Sequence, residues 1–372
     1  MNPIYLDHAA TTPADRDVVA AAMPYYTNTF YNPSSAHILG QRAARAVDCA
    51  REKCARAINA RPSEIYFTSG GTEAVNLALK GFCYGDKKHV VISGIEHDCA
   101  LSCVEHLKST GVAVDFVMPN SVGIITPDAL NKVIRDDTAL VCVMTVNNIT
   151  GAIQPVQALA EVAHSHGAKL FTDAVQAINT QSIDVKSGEI DMLAASAHKF
   201  YGLKGAGFLY AKTGIKLRPI IGGGEQERGV RGGTQNVPAI VAMGEAIEKA
   251  VITRNEYLEL VKTVSDEFLR CLRYGRIVEP PQKTDDIMTI IFDGINGGRL
   301  AVALSCAGVC CSVGSACSAG SATPPLTLVN MGVENPDCAV RFSIGRETTV
   351  SAVRRAARIV NATVKRLLEA GV

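Results

Sequence analysis

The chemistry of this chain is concentrated at Ser196-Ala197-His198-Lys199. The apolar stretch before it, Met192-Leu193-Ala194-Ala195, reads as a buried strand, and a second apolar stretch, residues 208–211, follows the glycines after it. A lysine at the end of a buried strand is desolvated, which disfavours the ammonium and leaves an amine that is nucleophilic near neutral pH. Such an amine condenses with aldehydes, and pyridoxal phosphate is the common aldehyde cofactor. A solvated lysine just past a strand is the bland alternative. Ser196 and His198 weigh against it, because both can hydrogen-bond a phosphate beside Lys199.

Other residues gather around the same chemistry. The run Phe67-Thr68-Ser69-Gly70-Gly71-Thr72 reads as strand, glycine turn and helix start, whose free N–H groups and dipole suit a phosphate. Asp173, with Gln176 three residues on, ends the strand Lys169-Leu170-Phe171-Thr172. A carboxylate there needs a positive partner, and a pyridinium nitrogen would serve. A helix cap is the competing role. His97 follows another strand, where it could lie over a cofactor ring and move protons. Val313-Gly314-Ser315-Ala316-Cys317-Ser318-Ala319-Gly320 is built of small residues with no apolar period, so Cys317 is expected on an exposed loop. Of the 12 cysteines, it alone is expected in a setting that favours a reactive thiolate. Cys306, Cys310 and Cys311 are expected to be packed. Arg346, at a strand end, could grip a carboxylate through its planar fork.

The elements that position these residues alternate. Candidate strands are 65–68, 89–93, 113–118, 140–146, 170–172, 192–195 and 207–211. Helices at 72–82, 99–108, 127–133 and 156–166 separate several of them. This is the pattern of an α/β fold with a mainly parallel, doubly wound, seven-stranded sheet, whose ligands sit at the carboxyl ends of strands. The candidate residues fall at those ends. A long helical stretch, 237–272, follows a glycine-rich loop, 222–234. The remainder has strands at 287–292 and 340–343 and a basic helix from Val350, so it reads as a smaller α/β domain. The expected division is a large domain over residues 14–255 and a small one formed by residues 1–13 plus 256–372.

Composition sets the class. The 372 residues are 47% hydrophobic and 20% charged, with a net charge of +1, as in a globular enzyme with a substantial core. That balance favours neither nucleic acid nor an anionic membrane surface. No apolar run has transmembrane length and the N-terminus lacks a signal-peptide pattern, so the expected location is cytoplasmic. The cysteines have no metal-ligand spacing, and no metal is expected.

In combination, Tyr5-Leu6-Asp7-His8-Ala9-Ala10-Thr11-Thr12, Asn32-Pro33-Ser34-Ser35, Thr68-Ser69-Gly70-Gly71-Thr72-Glu73, Asn147-Asn148, Asp173 to Gln176, His198-Lys199, Gly314 to Cys317 and Arg341 to Thr349 resemble the NifS/IscS-type cysteine desulfurases. These belong to the class V aminotransferase group of fold-type I pyridoxal phosphate enzymes, and the resemblance spans essentially the whole chain. It implies that Lys199 binds the cofactor aldehyde. Gly71, Thr72, Ser196 and His198 would hold its phosphate, with Thr234 reaching in from the partner of a homodimer. Asp173 would pair with the ring nitrogen, Gln176 with the phenolic oxygen, and His97 would stack on the ring. Asn148 would lie in the cofactor site and, with Arg346, bind the carboxylate of L-cysteine. Cys317 would take the sulfur as a persulfide and pass it to a sulfur-acceptor protein for iron–sulfur cluster assembly or for thiolated tRNA or cofactors. A selenocysteine lyase, another carbon–sulfur lyase or an aminotransferase on the same scaffold is the alternative, as is a catalytically silent relative. The chain departs from the family's frequent Asn-Asn-Glu-Ile-Gly at Asn147-Asn148-Ile149-Thr150-Gly151, and it carries Glu225 where a glycine is common.

Overall fold

A computed structural model describes residues 3–314 and 323–370. The strands are β1 (Ile4–Tyr5), β2 (Ile65–Thr68), β3 (His89–Ser93), β4 (Ala113–Val117), β5 (Thr138–Cys142), β6 (Lys169–Asp173), β7 (Met192–Ser196), β8 (Gly207–Ala211), β9 (Arg276–Val278), β10 (Ile287–Ile291), β11 (Val309–Cys310) and β12 (Ala339–Ser343). Seven of them form one sheet in the order β2-β8-β7-β6-β5-β3-β4. Its pairs are parallel except β2–β8 and β7–β8, so β8 alone runs against the rest. Strands β3, β5, β7 and β8 are buried along their whole length. Covered on both faces, they read in sequence as continuous apolar runs rather than alternations. This is the expected mainly parallel seven-stranded α/β sheet.

Some boundaries shift. The apolar run after β5 continues through Val143, Met144 and Val146, all buried, yet the strand ends at Cys142. Beyond it the chain becomes a buried loop that still bonds to β6, Val143 N to Phe171 O at 3.1 Å and Thr145 N to Asp173 O at 2.9 Å. The long helical stretch expected over 237–272 consists of two helices, Val237–Ile252 and Arg254–Cys271, parted at Thr253. The first helix packs tightly on Ile38–Ala57: a Cβ added at Gly244 would lie 2.9 Å from Ala50 Cα, so only glycine permits that approach.

A second core lies beside the sheet. Phe268 and Phe342, 5.1 Å apart and fully buried, sit in it with Tyr201, Tyr257 and Val360. Each such aromatic contributes roughly 1.5–3 kcal/mol by leaving water. The N-terminal strand joins this core, because β1 pairs in parallel with β11 and both Ile4 and Leu6 are buried there. The antiparallel trio β12-β10-β9 backs it. Cys306 is a correction to the sequence reading: it ends the helix Gly297–Cys306 and is exposed, as is Cys49, whereas Cys310 and Cys311 are half-buried.

Candidate active site

The carboxyl ends of β2, β3, β5, β6 and β7 open on one cleft, and the second core closes its far side. Gly71, Thr72, His97, Asn148, Asp173, Gln176, Ser196, His198 and Lys199 all line it, together with Ala9, Ala10 and Arg341.

Lys199 ends a short 3-10 turn directly after β7. The turn is pinned from several sides. Ala197 N donates to Ala206 O at 3.0 Å, and Asn179 donates to Lys199 O at 2.8 Å. The lysine amine donates to the carbonyls of Ala9 and, at 3.0 Å, of Ala10. His198 Nδ1 lies 3.1 Å from Thr11 Oγ1. Burial, with the positive charges of Lys199 and Lys204, pushes its imidazole down to about 4, so the ring is neutral at pH 7.

The helix Gly71–Lys80 starts against this turn. A Cβ on Gly71 would come 2.7 Å from Val175 Cγ2 and 3.4 Å from Ser196 Cβ, so any side chain would fill the hollow at the helix start. Open N–H groups, the helix dipole and the hydroxyls of Thr72 and Ser196 make that hollow a fit for a phosphate. Asp173, 5% exposed, accepts the Val175 N–H at 2.9 Å. Burial pushes its carboxyl up, opposed by that bond and by His97 and Lys199. A protonated ring nitrogen over it would favour the carboxylate. Gln176 Nε2 donates to Ala9 O at 2.8 Å and keeps a second N–H for a ligand. The residues present therefore fit pyridoxal phosphate.

His97 caps the helix Asp98–Leu101, its Nδ1 accepting from Cys99 N at 3.2 Å. In the neutral ring this leaves Nε2 to carry the proton. Glu96, beside it, accepts from Ser93 Oγ at 2.5 Å and Met144 N at 2.7 Å, and so ties the His97 loop to the chain after β5.

Arg346 does not reach the cleft. Its guanidinium pairs with Asp15 at 2.7 Å and lies 4.1 Å over the Tyr201 ring. The arginine that lines the cleft is Arg341, 2% exposed, whose fork donates to Asn148 O at 2.8 Å and Asp7 at 3.0 Å and leaves Nε without a partner among the described residues. The signal for it lay in β12. Val340 and Phe342 alternate into the second core, so Arg341 and Ser343 must face the other way. Ser343 Oγ accepts from Ala9 N at 2.8 Å on that face. Thr234 lies apart, in a separate small cleft with Ser69, Glu227 and Asn236. Cys317 lies outside the described residues. Its preceding flank does not: Ser312 pairs through both backbone bonds with Arg341. Among the described residues, no group of three or more His, Cys, Asp or Glu side chains could hold a metal ion. No helix among them is long and apolar enough to cross a membrane.

A strand-end lysine, a glycine hollow at a helix start and a buried aspartate on one sheet rim define a class, and comparison with known proteins agrees. Residues 4–355 match the Aminotransferase class-V family, and the chain belongs to that family. Within it the chain is similar to proteins named cysteine desulfurase. It is 38% identical over 373 residues to Cysteine desulfurase IscS of Methanosarcina thermophila, covering 98% of this chain and 92% of that one. It is 37% identical over 379 residues to Cysteine desulfurase of a Nostoc species, covering 99% and 94%. Among solved structures, a "NIFS-LIKE PROTEIN" superposes with a TM-score of 0.92 at 32% identity, covering 98% of this chain and all (100%) of that one. "SspA in complex with cysteine" superposes at 0.79 with 34% identity, covering 91% and 98%.

Proposed function

We propose that this chain is a pyridoxal phosphate-dependent cysteine desulfurase, which converts L-cysteine to L-alanine and places the sulfur on Cys317. The convergence of Lys199, Asp173 and Arg341 on one cleft carries this reading. The relatives named cysteine desulfurase and the neighbour solved with cysteine support the substrate.

Lys199 would hold the cofactor, with Gly71, Thr72, Ser196 and His198 on its phosphate, Asp173 on its ring nitrogen and Gln176 on its phenolic oxygen. When bound, the cofactor supplies an electron sink for bonds at the substrate's alpha carbon. Arg341, rather than Arg346, and the Asn148 side chain orient the substrate carboxylate. The amine of Lys199 moves the alpha proton, and His97 Nε2 exchanges protons at the cleft. The Cys317 thiolate attacks the substrate sulfur. A sulfur–sulfur bond forms as the carbon–sulfur bond breaks, and the carbon keeps the electron pair and takes a proton, which yields alanine. Cys317 follows Ser312 by five positions, so even a fully extended chain keeps it within about 18 Å of Ser312, which pairs with Arg341. A homodimer in which Thr234 completes the partner's phosphate site, a sulfur-acceptor protein, and a small domain of residues 1–13 plus 256–372 belong to the same proposal.

The test is alanine formation from L-cysteine with a thiol reductant. Cys317→Ser holoenzyme should keep its cofactor absorbance and lose the reaction. Sulfide release at the parent rate by that variant would refute the assigned nucleophile.

A further inference from the structure

Tyr201, two residues after Lys199, has a φ of +66°. A bulky aromatic in the left-handed region is uncommon and persists only where its surroundings hold it. Here they do so on every side. Tyr201 N donates to Thr12 Oγ1 at 2.9 Å, and Asp15 N donates to Tyr201 O at 2.9 Å. Thr12 also binds His198 O through its N–H at 3.0 Å and its hydroxyl at 2.9 Å. Residues 9–15 thus run along the lysine turn from the Lys199 amine to Tyr201.

Arg346 fastens that belt. Its guanidinium covers the Tyr201 ring and pairs with the Asp15 carboxylate at 2.7 Å, and its own N–H donates to Tyr201 OH at 2.7 Å. The Arg346 and Asp15 side chains are 18% and 14% exposed, so solvent screens the pair little. Lys249 adds a second cation on Asp15 at 3.2 Å. Stacking on a ring while pairing with a carboxylate needs a planar cation, which lysine is not.

We infer that Arg346 is a positioning residue: by clamping Tyr201 and Asp15 together it holds residues 9–15 around the lysine turn and sets the direction of the Lys199 amine. This rests on the reading that Lys199 holds pyridoxal phosphate, and it gives Arg346 a task distinct from Arg341's grip on the substrate.

Two holoenzyme variants test it, Arg346→Lys and Asp15→Asn. The measurements are kcat and KM for L-cysteine, visible-region circular dichroism of the bound cofactor, and melting temperature. Arg346→Lys should lower kcat on the order of tenfold, the scale of a small misplacement of a reacting group. It should leave KM within about twofold, since the substrate grip is elsewhere, and should weaken the cofactor dichroism. Should Arg346→Lys fail to fold, Asp15→Asn, which removes the carboxylate charge that the guanidinium pairs with, carries the test with the same expected signs. A raised KM with kcat intact would make Arg346 a substrate ligand and overturn the inference. A lower melting temperature with kcat and dichroism unchanged would overturn it too, as would no change at all. The dichroism is recorded without cysteine, so a holoenzyme inert toward cysteine defeats the proposed function while this comparison stands.

Discussion

The sheet rim and the edge of the second core face each other across the cleft and are built differently. On the rim, polar groups from five strand ends sit in turns whose backbones are fixed by the sheet, so that side is supported many times over. Among the described residues, the opposing edge offers the cleft one charged side chain, Arg341, held by Asp7 and the Asn148 carbonyl. Redundancy on one side and a single grip on the other predict different failures. Loss on the rim should remove chemistry, and loss on the edge should remove affinity.

The largest effect should come from Lys199→Ala. The rim then keeps its fold but lacks the amine to which the proposed function assigns the alpha proton, and kcat should fall on the order of 10³-fold or more. Alanine formation in single-turnover assays measures it. A residual rate near the parent's would mean that another group does the work. Arg341→Gln should come next. A charge-assisted hydrogen bond contributes about 1.5–3 kcal/mol, so kcat/KM for cysteine should drop roughly 10- to 150-fold, mostly through KM. An unchanged KM would remove the distinction between rim and edge.

The smallest effect concerns the rim's buried acid. Burial, reinforced by Asp173 and opposed by Ser93 and Met144, pushes the Glu96 carboxyl up to about 8. Its ordinary value is about 4.3, so between these limits the fold binds a proton that the unfolded chain releases. The stability it contributes is complete below about pH 4.3 and is lost as pH rises toward 8. Glu96→Gln keeps an acceptor for Ser93 and Met144 and removes the titration. Denaturant midpoints measured from about pH 5 to 8 should vary less with pH in the variant. Equal slopes in the two proteins would show that another group governs this range.

The same contrast explains what sequence revealed. Strands on the rim are continuous apolar runs, and polar residues at their ends announce themselves by breaking the run. Ser196, Asp173 and His97 were legible for that reason. On the edge, Arg341 sits inside an alternation, and the two-residue period tells which residues share a face without telling what that face meets. Arg346, at a strand end, carried the more obvious signal and lies behind the lysine turn instead. The break at Thr253 left no glycine or proline to mark it. The pairing of β1 with β11 joins chain segments far apart, which local pattern cannot report. Cys306 was read as packed from its apolar neighbours, but at the end of its helix it faces solvent while Leu304 in the same turn is buried.

The two backbone bonds between Ser312 and Arg341 carry a consequence for sulfur delivery. Under the proposed function, the thiol that takes the sulfur lies five residues beyond Ser312 on the same chain as the arginine that grips its target, so its attack is intramolecular and its rate should not depend on protein concentration.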